Sequence, residues 1–396
     1  MLSLLILMVC GAVAAVLLYP PLARAPLWRA AITPLASIIG SGFLVLGPIL
    51  SSSFGAWAPL VMAGLCAVAY LFGSAIRFNI AYLDRTSSEG SHHPVEVAAS
   101  WALALAYVIS VAYYLNLLGS FAATLIPQGG PDLAKLITTG VFVIILGVGW
   151  TRGFSALERL ELLAVGLKLS IVAGLLFGLG WYFSSLSMAH ALVVQPVQLG
   201  PVEGILLAFG LLVTVQGFET SRYLGAEYDA VTRVRSMRLA QGISTAIYLI
   251  YITLLCFSIV PDAAALNETS IIGMTSVIAP ILPALLLVAA MSAQFSAAVA
   301  DTNGSGGLLT ELTRGRLSAR AGYSVLVACG LVLTWAFSVF EIIGYASRAF
   351  AIYYALQSFI AARRAAAHPS ARKKAVLFAM LAMLGILIAV FGESAE

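Results

Sequence analysis

Charge is scarce in this chain. Of its 396 residues, 10% are Asp, Glu, Lys or Arg, while 61% are hydrophobic, and the mean hydropathy is +1.01. A water-soluble domain needs more charge on its surface than that, so the composition implies an integral membrane protein. Cysteine and histidine are scarce as well. Cys10, Cys66, Cys256 and Cys329 all fall in apolar stretches and read as small packing residues, not as disulfides or a metal cluster. His92, His93, His190 and His368 lie between those stretches without metal-ligand spacing, so no metal or other cofactor is expected. The alternation of a transmembrane barrel is missing, as are nucleophile–base pairings, a filter-like carbonyl motif and a ring of pore charges. The run Gly304-Ser305-Gly306-Gly307, read at a helix end, lacks the Lys-Ser/Thr of a phosphate loop. An enzyme or a channel is therefore disfavoured.

What the chain has in abundance is apolar runs of membrane-crossing length. About twelve helices are expected, at 2–19, 31–54, 57–80, 96–126, 134–150, 157–183, 202–226, 237–260, 271–300, 321–339, 342–362 and 374–391. The fold expected is an all-α multi-pass bundle. Of the 21 lysines and arginines, all but Lys135, Lys168 and Arg348 sit in or beside alternate loops. That asymmetry places the basic loops in the cytoplasm and both ends of the chain outside, and it excludes a nucleic-acid footprint as the origin of the +4 net charge. Residues 1–19 lack the basic start of a signal peptide, and Pro26 follows the nearest small-residue site, so a retained helix is expected.

Two spans carry polar interruptions. In the first, SIIGSGFLVLGP (37–48), Gly40 and Gly42 bracket Ser41; each glycine costs a helix roughly 1 kcal/mol relative to alanine. Close helix packing and a designed helix break both account for them. In the second, LLAFGLLVTVQGFETSRYLGAEY (206–228), Gln216, Gly217 and Glu219 interrupt the apolar run. Counting five helices from 31 to 183 and five from 201 to 363 puts each interruption in the first helix of its half, running in opposite directions. An inverted 5+5 repeat with a broken first helix in each half follows from that count. Residues 31–365 would form this core, with 1–30 an extra helix and cytoplasmic linker before it and 366–396 one helix after it.

These residues together, Ile39-Gly40-Ser41-Gly42-Phe43, Gly217-Phe218-Glu219 with Glu227 beyond, and Lys168 in the fifth core helix, resemble the amino acid–polyamine–organocation superfamily, whose members have the leucine-transporter fold. The resemblance implies a secondary transporter of an amino acid or related small amine in a bacterial inner membrane. It places the substrate carboxylate on backbone around Ser41 and Gly42, and the amine on carbonyls near Ile38, Thr214 and Val215. Val213, Thr214, Val215 and Gln216 stand where the family often has aromatic residues. Gln216 and Glu219 are candidates for side-chain selectivity, although Arg222, three residues on, is an alternative partner for Glu219. Tyr113, Tyr114 and Asn116 are candidates for the pocket wall. Arg348 and Glu341 are candidates for an external gate, with snorkelling of Arg348 the alternative.

Lys168 is the candidate for coupling. Its ammonium would stand where sodium-coupled relatives bind an ion, bridging backbone near Ile38 to Ser292 or Ser296, and a proton would then drive transport. Sodium coupling, uncoupled exchange and a transporter-like receptor remain as alternatives.

Overall fold

The computed structural model describes residues 1–394 except Ser41, 87–93, 128, 152–154 and 262–265; for 85, 86, 155–163 and 226 it describes the backbone alone. Ser41, His92, His93 and Arg152 therefore lie outside the described residues, as do the side chains of Arg85 and Arg159.

Among the described residues, fifteen α-helices follow one another: α1 (Leu2–Leu18), α2 (Pro20–Ala23), α3 (Pro26–Ile38), α4 (Gly42–Phe54), α5 (Ala58–Thr86), α6 (Pro94–Ala123), α7 (Pro131–Thr151), α8 (Ser155–Met188), α9 (Pro201–Gly210), α10 (Ala230–Cys256), α11 (Ser270–Thr275), α12 (Leu282–Leu312), α13 (Ala319–Ala336), α14 (Val339–Ala366) and α15 (Arg372–Phe391). Among the described residues there is no strand, so the all-α bundle expected from the sequence is what the chain forms. Local chemistry sets the starts. Proline opens α3 and α9, where its missing N–H is harmless. Asp229 caps α10 through the Thr232 amide, and Ser338 and Glu341 close a capping box on α14.

Among the described residues, eight helical segments are long and apolar enough to cross a membrane: Gly42–Asp84, Pro94–Ala123, Pro131–Thr151, Ala164–Met188, Ala230–Cys256, Leu282–Leu312, Ala319–Ala336 and Pro369–Phe391. Of the remaining expected spans, 2–19 forms the apolar α1, 17 residues long, and the others fall short for a reason the fold supplies. α3 and α9 are half-length because the helices they begin are broken, and α14 carries Arg348, Gln357, Arg363 and Arg364 along its length.

Two expected boundaries shift. The span read as 202–226 is helical only to Gly210; beyond it come 3-10 turns at Leu212–Val215 and Phe218–Ala226. The span read as 271–300 splits into α11 and a displaced α12, because Pro280 and Pro283 interrupt the apolar run. α12 then continues through Gly304–Gly307, which thus lies inside a helix, not at its end. These glycines let neighbours approach: a Cβ on Gly304 would stand 3.3 Å from the Tyr107 ring, and one on Gly306 2.2 Å from that of Tyr323.

α6 sits at the centre, packed on α12, α14, α7 and α13; α10 packs on α3 and α5, and α15 along α14. α1 lies against α8, with Cys10 over Gly174. Cys66 and Cys256 are buried, whereas Cys329 faces outward. The end of the bundle that carries the arginine-rich loops is called the basic face below. α3 runs from that face to the first break and α4 continues to the opposite face; α9 and the turns after it run the other way.

Candidate functional site

The two breaks meet. Ile39 ends α3, its N–H bonded to Leu35 O, and α4 resumes at Gly42. A Cβ on Gly42 would lie 2.5 Å from the Thr214 Cβ, and one on Gly217 would lie 2.4 Å from Ser37 Oγ and 2.8 Å from the Ile38 amide. Gly217 also has φ +117°, a backbone state that side chains disfavour. A Cβ on Gly40 would meet the Ser37 carbonyl at 2.7 Å. The glycines therefore serve both readings left open by the sequence: the helices break, and the breaks pack on each other.

Broken helices expose backbone groups that hydrocarbon cannot satisfy. Here two residues supply the partners, and neither stood out in the sequence. Tyr248 on α10 places its hydroxyl 2.9 Å from Ile38 O and 2.6 Å from Thr214 O. Ser347 on α14 donates to Phe209 O at 2.9 Å and accepts from the Val213 amide at 3.3 Å. The C-terminal ends of two half-helices thus converge on a single phenol. Their dipoles bring partial negative charge to that point, and Tyr248 has one proton for two carbonyls. Behind them, Ile38, Val215, Tyr248, Ser244 and Gln241 enclose a cavity of about 10 Å³, the size of one water.

Gln216 and Glu219 lie within the second break, both buried. Gln216 Nε2 donates to the Tyr114 hydroxyl at 2.9 Å, and Tyr114 in turn meets Ser37. Glu219 Oε2 accepts from the Gly217 amide at 3.0 Å and from Tyr354 at 2.9 Å. Its Oε1 and the Gln216 Oε1 have no partner among the described residues. Arg222 does not pair with Glu219. It bonds Gln357 instead, starting a network that ties the second break to α14, α5 and α6 at the basic face: Asn79 Nδ2 meets Gln357, Arg364 meets Asn79 at 3.0 Å, and Arg364 meets Glu96 at 2.5 Å. Tyr113 is buried beside Tyr114, with ring centroids 5.2 Å apart. Asn116 turns away, donating to Ala112 O and to Thr334 of α13, and does not join the site.

Lys168 is buried, its Nζ donating to Ala36 O at 2.6 Å. α8 is thereby tethered to the last turn of α3, two residues before Ile38. Ser292 bonds Ala289 of its own helix; Ser296 is buried nearby on α12. Just beyond Ser296, α12 runs past the expected helix end at 300. Asp301 is buried there, accepting from Ser110 Oγ of α6 at 2.5 Å, with Tyr107 and Tyr114 in electrostatic range of both it and Glu219. The two gate candidates, Arg348 and Glu341, bond other groups and not each other. Glu341 is engaged in its capping box, accepting from the Ser338 amide at 2.7 Å, and Arg348 bonds Gly392 O through Nε and Nη2.

A solved structure of a Na+-coupled sialic acid symporter, in its substrate-bound outward-open state, has the same fold: TM-score 0.54, 13% identity, covering 99% of this chain and 98% of that one. An uncharacterised protein of Aquifex aeolicus (strain VF5) is 43% identical over 387 residues, 96% of this chain and 94% of its own length. A family model described as an APC superfamily transporter matches residues 20–392, from the turn before α3 through α15. This chain is a multi-pass membrane protein of the APC superfamily of transporters.

Proposed function

We propose that this transporter moves an amino acid or related small amine by alternating access, with the proton as coupling ion and Lys168 as its carrier. The observation that carries the proposal is the Lys168 ammonium held at 2.6 Å on the Ala36 carbonyl, between α8 and the last turn of α3. An ammonium there supplies a cation that is tethered to the protein, so no free ion is required to join these helices. Charged, it ties α8 to α3; on losing its proton it can no longer donate a charge-assisted bond, and the two helices are free to part.

The convergence of Ile38 O and Thr214 O is the proposed amine subsite, where an ammonium with three N–H groups serves both carbonyls that Tyr248 serves one at a time. The first-turn amides of α4, at Gly42 and Phe43, are the proposed donors to a carboxylate. Gln216, Glu219, Tyr113 and Tyr114 border that space and would select the side chain. The hydrogen-bonded network from Arg222 to Glu96 is read as a closed gate on the basic face. The arginine-rich loops favour a cytoplasmic basic face in a bacterial inner membrane, with both ends of the chain outside.

The test is uptake by purified protein in proteoliposomes, using labelled amino acids and diamines under an imposed pH gradient or an imposed sodium gradient. Accumulation driven by the pH gradient, and lost in Lys168→Ala with substrate binding retained, is the expected result. Accumulation that follows sodium and ignores pH overturns proton coupling; binding without any accumulation overturns transport.

A further inference from the structure

Past Phe391 the chain turns back into the bundle. Gly392 is buried, its N–H still bonded to Ile388 O, and the backbone then leaves the helix in an extended state. The Glu393 amide donates to Leu206 O of α9 at 3.0 Å. Backbone of residue 393 fills the space over Gly210, where a Cβ would stand 1.5 Å from the Glu393 carbonyl oxygen, and Ser394 lies 3.4 Å from where a Cβ on Gly344 of α14 would be. A three-residue strap thus lies in the seam between α9 and α14, seated on a glycine from each.

Arg348 fastens it. A guanidinium in the apolar half of α14 needs acceptors, and this one spends two donors, at 2.9 and 2.6 Å, on the Gly392 carbonyl. The preceding residue, Ser347, holds the second break itself through Phe209 O and the Val213 amide. Adjacent residues of α14 therefore grip the same half-helix from two sides, one at its broken end and one through the strap. α9 cannot move away from α14 while both grips hold.

We propose that Arg348 is a positioning residue for the second break: acting through residues 392–394, it holds α9 against α14 and keeps the site closed toward the face opposite the basic loops. The inference about access rests on the transport reading above, but the grip on α9 does not, and it is measured without substrate. The contact is made almost wholly by backbone and glycine, with the Glu393 side chain left exposed, so it can detach and reseat without unfolding a core.

Hydrogen–deuterium exchange of the purified full chain is the first test. Arg348→Ala should accelerate exchange at α9 and Leu211–Gly217 by about tenfold or more while α6 and α12 stay protected, and Arg348→Lys should recover most of the protection. Gly210→Ala leaves Arg348 intact but puts a methyl where the strap sits, and should give the same local acceleration. Unchanged α9 protection in both variants overturns the proposal. So does a global acceleration in Arg348→Ala that lysine does not repair and Gly210→Ala does not share. Access is read separately, with a cysteine at Val213 in a chain whose native cysteines are replaced. A water-soluble maleimide should label it faster when Gly210 is alanine, and equal rates overturn the gating role. Lys168→Ala should leave α9 exchange unaltered, so a failure of proton coupling is distinguishable from a failure of the strap.

Discussion

The two breaks solve one problem in different ways. The first is abrupt: α3 ends at Ile38 and α4 begins at Gly42. The second is drawn out. α9 ends at Gly210, 3-10 turns follow at Leu212–Val215 and Phe218–Ala226, and α-helical geometry returns only at Ala230. Hydrogen bonds in 3-10 turns are poorer than in an α-helix, so the second break is the softer of the two. It also carries the chemistry, since Gln216, Glu219 and Arg222 lie within or beside those turns while the first break offers backbone and small residues. On the proposed reading, the first break supplies backbone donors and acceptors to the ligand, and the second supplies the side chains and the softer hinge.

The largest expected effect comes from removing what lets the two breaks touch. Gly217→Ala forces a side chain into φ +117° and drives its Cβ to 2.4 Å from Ser37. Strain and overpacking together should destabilise by about 2–5 kcal/mol, read as a lowered midpoint in thermal unfolding of the detergent-solubilised protein. A Gly217→Ala protein of unchanged midpoint would mean that the breaks are not in contact.

Tyr248→Phe is the next step down. It removes one hydroxyl and leaves Ile38 O and Thr214 O without that donor, at a cost of about 1–3 kcal/mol for buried groups left unsatisfied. If the carbonyls form the amine subsite, a bound amine should recover more stability in Tyr248→Phe than in the parent protein. Equal ligand-induced shifts in both proteins argue that the amine binds elsewhere.

Much of this was legible in the sequence, and the failures share a cause. Span length, loop charge and two glycine-marked interruptions give the bundle and both breaks; Lys168 meets α3 at Ala36, close to the Ile38 backbone to which the family resemblance pointed. The partners of the breaks were not legible. Tyr248 and Ser347 lie in apolar helices distant in sequence, where a tyrosine or serine reads as packing. Asp301 was missed because a proline-interrupted run shifted the expected helix toward the opposite face. Gly42 was read for its contact with a ligand, yet Thr214 already occupies the space a side chain would take, so its substitution tests packing before it tests binding. Spacing along one element suggested Glu219 with Arg222, and grouped Arg348 and Glu341 as gate candidates. Other partners compete for those groups and hold them: Tyr354 and the Ser338 amide donate to Glu219 and Glu341, while Gln357 and Gly392 accept from Arg222 and Arg348.

That competition is testable at the soft break. Because Glu219 bonds Tyr354 and Arg222 bonds Gln357, the two should behave as separate residues. In a double-mutant cycle, Glu219→Gln and Arg222→Leu should combine with a coupling below about 0.5 kcal/mol in stability. Arg222→Leu should loosen the basic-face network, whereas Glu219→Gln should shift ligand preference with little change in fold. A coupling of about 1 kcal/mol or more would restore the ion pair between them.

The smallest effect marks where the soft segment ends. Asp229 caps α10 immediately after the 3-10 turns, accepting from the Thr232 amide at 2.9 Å. Hydrogen bonds from the Thr232 side chain and backbone hold its carboxyl below the ordinary aspartate range. A depressed folded-state value means that the cap's ionic contribution is fully present above the unfolded aspartate value, about 3.9, and is lost as pH falls through the lower folded one. Asp229 is fully exposed, so the contribution is small and screened by salt. Asp229→Asn keeps an acceptor for the Thr232 amide but cannot ionise. Its stability should therefore match the parent in acid, below the folded-state value, and fall slightly behind as pH rises through that value toward the unfolded one of about 3.9, the gap narrowing at high ionic strength. Thermal midpoints measured from acid to neutral pH at two salt concentrations check this. A gap that is widest in acid, or that salt enlarges, would mean that the end of the soft segment is set by something other than this cap.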